Sequence, residues 1–382
     1  MKVREVDVAD PGFGRRGAGK GFTYVDCEGR RITDRDVIAR IKALAIPPAW
    51  TEVWICPEPH GHIQAMGYDA RGRRQYRYHD QWRAERDQAK HDRMLELARA
   101  LPRLRRRVRR DLATEGMGRE RVLACAVRLI ELGLFRVGGE PYADQNESYG
   151  LATLRKGHVR AQGDELRFDY PSKSGQRRVV TIGDEQVAEV VRALKRRRGG
   201  GPELLAFRDD RGRWVDVRSS DINSYLQEGL GPGFSTKDFR TWTATVLAAV
   251  ALAAEEDAET DRQRRRAVVR VVRSVAQLLG NTPAVARGSY VDPRIIERYE
   301  NGETVGHALA DADVEALVDD VLGGGDGNPQ PGPGDDVAAV PVELLTEVHA
   351  AVVDLIEASP RRRARRDPAA GPRRRPVAVT AS

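Results

Sequence analysis

Apolar positions recur with two different periods along the chain, and the change of period divides it. Over residues 21–85 bulky side chains come in short alternating runs, Phe22-Thr23-Tyr24-Val25, Val53-Trp54-Ile55 and Gly72-Arg73-Arg74-Gln75-Tyr76-Arg77-Tyr78. Alternation of this kind predicts strands. Cys27-Glu28-Gly29 reads as a turn, and Asp34 to Leu44 as a short helix that Pro47-Pro48 ends. A charged helical stretch leaves this region at Asp80 and runs to about Arg110, which puts a domain boundary near residue 85. Beyond it the helical period takes over. Leu123, Val127, Ile130 and Leu134 mark one face of a helix over 119–132, and further helices are predicted over 184–197, 219–229, 236–254 and 261–279.

Two strand runs interrupt the helices. Leu166–Tyr170 and Arg178–Ile182 flank the turn Pro171-Ser172-Lys173-Ser174-Gly175-Gln176, which puts Lys173 at a hairpin tip. Ser235 and Asp238 form a capping-box pattern, and Thr282-Pro283 opens a short helix with proline in its first position. A helix over 307–322 runs out at Gly323-Gly324-Gly325. Residues 323–339 read as a linker, 341–358 as one amphipathic helix, 359–382 as a disordered tail and 1–20 as a flexible arm. The expected fold class is α+β, with a small strand-rich N-terminal domain over 21–85 and a mainly α-helical domain over 86–322.

Composition narrows the function. Of 382 residues, 40% are hydrophobic and 32% charged, enough for two packed cores. The longest apolar run, Thr243 to Ala254, is about half the ~20 residues of a membrane span, so it reads as a buried helix. The N-terminus carries no apolar signal region, and Cys27, Cys56 and Cys125 lie far apart. The expectation is a cytoplasmic, nucleoid-associated protein with no membrane partner. The net charge of +7 conceals a pattern: residues 1–300 carry +13, 301–358 carry −13 and 359–382 carry +7. A basic body of this size suits a polyanion, nucleic acid above all. Only eight of the 64 basic residues are lysines. Lysine gives up a proton far more readily than arginine, so a lysine kept in such a chain is a candidate for proton chemistry.

Several motifs can be set aside. Gly14-x-x-x-x-Gly19-Lys20 imitates a phosphate loop, but Gly21 stands where the magnesium-holding hydroxyl belongs. His60 and His62 lack a third metal ligand, and neither GxSxG nor HExxH occurs. The chain is expected to need no cofactor and no metal.

The informative set is spread out: Phe135-Arg136-Val137-Gly138-Gly139, Lys173, Lys237-Asp238-Phe239-Arg240-Thr241-Trp242, and Leu279-Gly280-Asn281-Thr282-Pro283 followed by Gly288-Ser289-Tyr290. These residue types suit attack on a phosphodiester. Two guanidiniums, Arg136 and Arg240, can bind non-bridging oxygens through paired donors, Tyr290 can serve as a nucleophile, and Lys173 can protonate a leaving oxygen.

In order and spacing this set resembles the type IB DNA topoisomerases, in their compact bacterial and poxvirus branch. So do Tyr142, the run Tyr149–Leu154, Ile46-Pro47-Pro48-Ala49-Trp50-Thr51 and Arg74–Tyr78, and together the likeness covers about residues 20–300. The resemblance implies the helical catalytic fold shared with tyrosine recombinases, and relaxation of supercoiled duplex DNA through a 3′-phosphotyrosyl ester at Tyr290, without ATP. It implies Arg136, Lys173, Arg240 and Asn281 as the other catalytic residues. Asn281 stands where many relatives have histidine, so it can donate a hydrogen bond to phosphate but brings no titration near neutral pH. Gln75, Tyr76, Tyr78, Tyr142 and Lys237 are implied as DNA contacts, in a monomer clamped around double-stranded DNA. Two alternatives stay open, a tyrosine recombinase and a non-enzymatic DNA-binding protein. Lys237, where recombinases usually carry histidine, and the strand-rich first domain favour the topoisomerase.

Overall fold

The computed structural model describes residues 2–19, 21–139, 147–255, 258–309, 336–338 and 342–358. It divides into two compact units, Met1–Arg93 and Met94–Ser382. The first is built on an antiparallel sheet of β1 (Phe13–Ala18), β2 (Gly21–Val25), β3 (Thr51–Ile55), β4 (Ile63–Tyr68) and β5 (Arg74–Tyr78), in the order β2-β1-β3-β4-β5. Helix α1 (Arg35–Ala43) starts at Asp34, whose carboxylate accepts from the Asp36 and Val37 amides. Its Ile41 meets Val53, Ile55 and Ala65 in a small core, with Phe13, Tyr24 and Trp50 at the margin.

Two features differ from the sequence reading. Residues 13–18, expected within a flexible arm, form strand β1 between β2 and β3. Their glycines and arginines hide the strand signal, although most of the ladder is a local hairpin with β2, from Gly14–Val25 to Ala18–Gly21. Arg15 donates to the Pro47 and Trp50 carbonyls at 3.0 and 2.6 Å, and its guanidinium lies 4.2 Å above the Phe22 ring. The division between the units falls at Arg93, inside the single helix α2 (Asp80–Leu112), rather than near residue 85.

The second unit is mainly helical: α3 (Arg119–Gly133), α4 (Glu185–Arg196), α5 (Ser219–Leu230), α6 (Thr236–Ala253), α7 (Asp261–Leu279), α8 (Pro283–Ser289) and α9 (Pro293–Glu300). Strands β6 (Val159–Gln162), β7 (Glu165–Pro171) and β8 (Arg177–Gly183) make an antiparallel sheet, and β9 (Ala206–Arg208) pairs with β10 (Trp214–Asp216). Helix α6 is buried on every side from Asp238 to Ala253, which is why Thr243–Ala254 lacks an amphipathic period. No described helix is long and apolar enough to cross a membrane. The carboxylate of Asp238 accepts both the amide and the hydroxyl of Ser235 at 2.9 Å, fixing where α6 begins. The helix expected over 307–322 and the tail over 359–382 lie almost wholly outside the described residues.

Residues past 335 add two further elements to this unit. Strand β11 (Asp336–Ala338) pairs parallel to β8, and α10 (Val342–Glu357) buries Val348, Val352 and Ile356. His349 of α10 is buried beside two donors: Arg105 Nη2 of α2 lies 3.1 Å from Nε2, and Trp242 Nε1 of α6 lies 3.1 Å from Nδ1 and 3.2 Å from Nε2. Arg105 is itself paired with Glu131 of α3 at 2.6 Å. Burial, and then the Arg105 charge, holds the imidazole well below the usual histidine value. It is therefore neutral when folded, whereas the unfolded chain takes up a proton below about pH 6.5. Stability from this group is complete above that pH and is lost as pH falls through the window beneath it, at no more than ~1.4 kcal/mol per pH unit. Thermal melting of wild type is expected to drop more steeply between pH 7 and 5 than that of His349→Gln; equal slopes would show that the ring is not held neutral by its site.

Candidate active site

The site is assembled where two helices end. Helix α3 stops at Leu134, which takes a left-handed conformation (φ 50°) and donates its amide to the Ile130 carbonyl. A left-handed turn costs a leucine roughly 1–2 kcal/mol, and burial of its side chain offsets this. Helix α7 stops at Gly280, also left-handed (φ 60°), a conformation glycine adopts without penalty. Both ends leave carbonyls without helical partners and present the negative pole of a helix dipole.

Guanidiniums fill this need. Arg240, in the second turn of α6 and only 4% exposed, donates to the carbonyls of Leu134 and of Leu279, the latter at 2.7 Å. Arg136 follows α3 and donates through Nη2 to the Gly280 carbonyl at 2.8 Å and to Asn281 Oδ1 at 3.0 Å. Arg178 of β8 donates to the carbonyls of Leu278 and Gly133 at 2.8 and 2.9 Å. Burial first, then the like charges of Arg136 and Arg178, pushes the Arg240 guanidinium down to about 9. It thus remains a cation at neutral pH. Tyr170 of β7 is buried beneath the same group: burial pushes its phenol up, and Arg178, Arg240 and Arg136 pull it back. Such a cluster of positive charge favours an anion before any anion arrives.

A cavity of about 410 Å³ opens onto these groups, lined by Arg136, Lys173, Lys237, Arg240 and Tyr290 among others. Lys173 is exposed at the tip between β7 and β8, in a single helical turn closed by the Ser172 amide on the Gln176 carbonyl at 2.7 Å. The tip is tied down through Tyr149, whose amide donates to the Pro171 carbonyl at 2.9 Å. Tyr290 ends the short helix α8, with its ring centroid 5.9 Å from the Arg240 guanidinium. Lys237 is exposed in the first turn of α6.

Asn281 stands behind Arg136, between α7 and α8. The Arg136 bond identifies its Oδ1 as acceptor, which leaves Nδ2 as the donor. Nδ2 is buried and has no hydrogen-bond partner among the described residues. Asn281 is not itself among the residues that line the cavity, and it is tied to them through Arg136.

Not every residue singled out from the sequence joins this group. Gln75, Tyr76 and Tyr78 lie in the first unit, on β5. Strand alternation puts Tyr76 and Tyr78 on one face, where their rings stack at 5.8 Å. Gln75 faces the other way and donates to Asp69 at 3.0 Å. Tyr142 lies outside the described residues.

Sequence reasoning missed three residues that shape the site. Arg178 looked like ordinary strand polarity. The Thr245 hydroxyl of α6 shares its one proton between the Thr241 and Tyr290 carbonyls, each at 3.1 Å, and accepts the Asp292 amide at 3.1 Å, which ties down the backbone on which the tyrosine sits. Nothing in an apolar run marks a threonine for that role. Gly150 lets the loop after α3 close. A Cβ there would lie 2.3 Å from the Gly138 nitrogen, and Gly138 itself has φ 82°. Across this contact the Leu151 and Ala152 amides donate to the Arg136 and Val137 carbonyls at 2.8 Å.

Comparison with known proteins agrees with this architecture. The family described as eukaryotic DNA topoisomerase I, catalytic core, matches residues 79–308, and bacterial DNA topoisomerase IB, N-terminal domain, matches residues 21–69. DNA topoisomerase 1B of Acanthamoeba polyphaga mimivirus is 33% identical over 296 residues, 76% of this chain and 88% of that protein. DNA topoisomerase 1B of vaccinia virus (strain Copenhagen) is 20% identical over 268 residues, 69% of this chain and 81% of the relative. DNA topoisomerase 1 alpha of Arabidopsis thaliana is 28% identical over 127 residues, 33% of this chain and only 13% of the plant protein. The fold and its matches therefore define an isomerase of the DNA topoisomerase class. Within that class, the chain belongs to the type IB family.

Gly150→Ala is expected to push the 136–139 loop away. Overpacking of this kind costs ~1–3 kcal/mol, visible as a lowered melting temperature, with topoisomerase activity reduced further as the cavity lining over 136–139 shifts. Wild-type stability and activity in the variant would mean that the loop has room that this close approach denies.

Proposed function

We propose that this chain relaxes supercoiled duplex DNA by cutting and resealing one strand through a transient ester on Tyr290. What supports the reading is one observation: Tyr290, Lys173, Arg136 and Arg240, up to 154 positions apart in the sequence, line a single cavity. The scissile phosphate sits between the two arginines, in the place their charge prepares. The Tyr290 oxygen attacks phosphorus, and its proton passes to solvent. Charge gathering on the non-bridging oxygens is met by Arg136, Arg240 and the Asn281 Nδ2 donor. Loss of one such donor costs on the order of 10²–10³ in rate.

The bond to the 5′-oxygen breaks, and Lys173 supplies the proton that oxygen needs, a contribution of roughly 10²–10⁴. The products are a 3′-phosphotyrosyl ester and a free 5′-hydroxyl. One phosphoester bond replaces another, so resealing is the reverse reaction and needs no ATP. While the ester lasts, the free end rotates and supercoils of either sign relax. Lys237 holds the phosphate or a neighbouring base edge. In the first unit the stacked Tyr76 and Tyr78, with Tyr78 40% exposed, offer a flat aromatic surface for sugar and backbone. A monomer suffices for this chemistry, since the set comes from one chain.

Relaxation of a supercoiled plasmid carrying no special sites, in EDTA and without ATP, is expected from wild type and is expected to vanish in Tyr290→Phe. Absence in wild type, or persistence in the variant, would refute the proposal, and a requirement for paired sites would point to a recombinase. A second test concerns Asn281. Substituting His places a group that titrates near pH ~6.5 against the phosphate. The ratio of Asn281→His to wild-type cleavage rates is expected to rise as pH falls from 8 to 5.5; a flat ratio would count against contact between this side chain and the reacting phosphate.

A further inference from the structure

Arg178 and Arg240 make the same connection twice. Arg240 bridges the Leu134 carbonyl at the end of α3 and the Leu279 carbonyl at the end of α7. Arg178 bridges the carbonyls one residue earlier on each helix, Gly133 and Leu278. Arg136 then takes the next carbonyl along, Gly280. Three consecutive carbonyls, 278, 279 and 280, thus each receive a different arginine. Two negative helix ends repel, and guanidiniums between them are what allows both to stop here.

The position is a costly one for Arg178. Its Nε is buried with no hydrogen-bond partner, and its charge adds to those of Arg136 and Arg240 around Tyr170. An apolar residue could pack at this half-buried position but would leave both carbonyls without a donor. What only a guanidinium offers is a rigid planar fork that reaches two acceptors on two different helices at once. An ammonium on a flexible stem does not set that spacing.

We propose that Arg178 is a positioning residue for Arg240. It is the first rung of a two-rung ladder that sets the gap between the ends of α3 and α7, so that the second rung holds its guanidinium in register with the phosphate. Without Arg178 the carbonyls of Gly133 and Leu278 lose their shared donor and take up water. The gap then opens, and Arg240 follows one helix or the other. The effect reaches the reaction through the charge that Arg240 presents, not through leaving-group protonation. The inference rests on the reading of Arg240 as a phosphate-binding group.

The test is single-turnover cleavage by the full chain of a duplex with one defined scissile linkage, either an ordinary phosphodiester or a methylphosphonate in which a neutral methyl replaces one non-bridging oxygen. The proteins are wild type, Arg178→Ala, Arg178→Lys and Arg240→Ala, each followed by a melting curve and by non-covalent DNA affinity. On the phosphodiester, Arg178→Ala is expected to slow cleavage about tenfold to a hundredfold, below the 10²–10³ of a direct contact. Arg178→Lys is expected to be nearly as slow, with DNA affinity changed less than threefold in both. On the neutral linkage, which needs less positive charge, the defects of Arg178→Ala and Arg240→Ala are expected to shrink together. A defect of Arg178→Ala that is equal on both linkages marks a merely structural role and overturns the proposal. Full activity of Arg178→Lys overturns it as well. If the alanine variant does not fold, the lysine variant carries the same comparison. Unimpaired phosphodiester cleavage by Arg240→Ala would instead remove the phosphate-binding reading of Arg240, an outcome distinct from failure of the ladder alone.

Discussion

A guanidinium buried between the carbonyl ends of two helices is the constraint around which the second unit is organised. Helices α3 and α7 both stop facing the same interior point, and each brings carbonyls that its own backbone cannot satisfy. Leaving them dry and unpaired would cost several kcal/mol in total, at ~1–3 kcal/mol for each lost partner. Arg240 answers this need from α6, a helix buried on all sides and therefore without freedom to move. The same contact that lets the two helices end also fixes a cation where the cavity opens. Structural necessity and electrostatic preorganisation are thus one arrangement.

Several strained features make sense on that basis. The left-handed Leu134 turns its carbonyl to the arginine at the end of α3. Gly138 and Gly150 allow two backbones to touch so that Arg136 leaves its loop in one direction. Thr245 ties the backbone around Tyr290 to α6. Each feature restricts a backbone rather than adding a catalytic group. That is how a cationic site comes to be preformed.

The C-terminal return reaches the same framework from behind. Strand β11 lengthens the sheet that ends in the Lys173 hairpin, and His349 of α10 lies against Trp242, two residues beyond Arg240. Both lie past residue 308, where the match to the family's catalytic core stops. The core helix carrying Arg240 is therefore packed on one side by chain that lies beyond the matched residues.

By itself, the sequence located many of the elements and marked a set of candidate residues. Periodicity located the helices from 184 to 279, the Lys173 hairpin and the strands β2, β3 and β5, because burial of one face leaves a repeat that can be read locally. The candidates Arg136, Lys173, Arg240, Asn281 and Tyr290 stood out because their types and spacing suit one reaction and resemble one family. Tertiary structure alone decided what depends on partners far away along the chain. Strand β1 gains β3 and the loop after α1 as partners beyond its local hairpin, and Arg178 is defined by two carbonyls that end different helices. The docking of α10 rests on Trp242 and Arg105, more than a hundred residues distant. A local pattern records only which side of an element is apolar, whereas a hydrogen bond between distant segments leaves no period to detect.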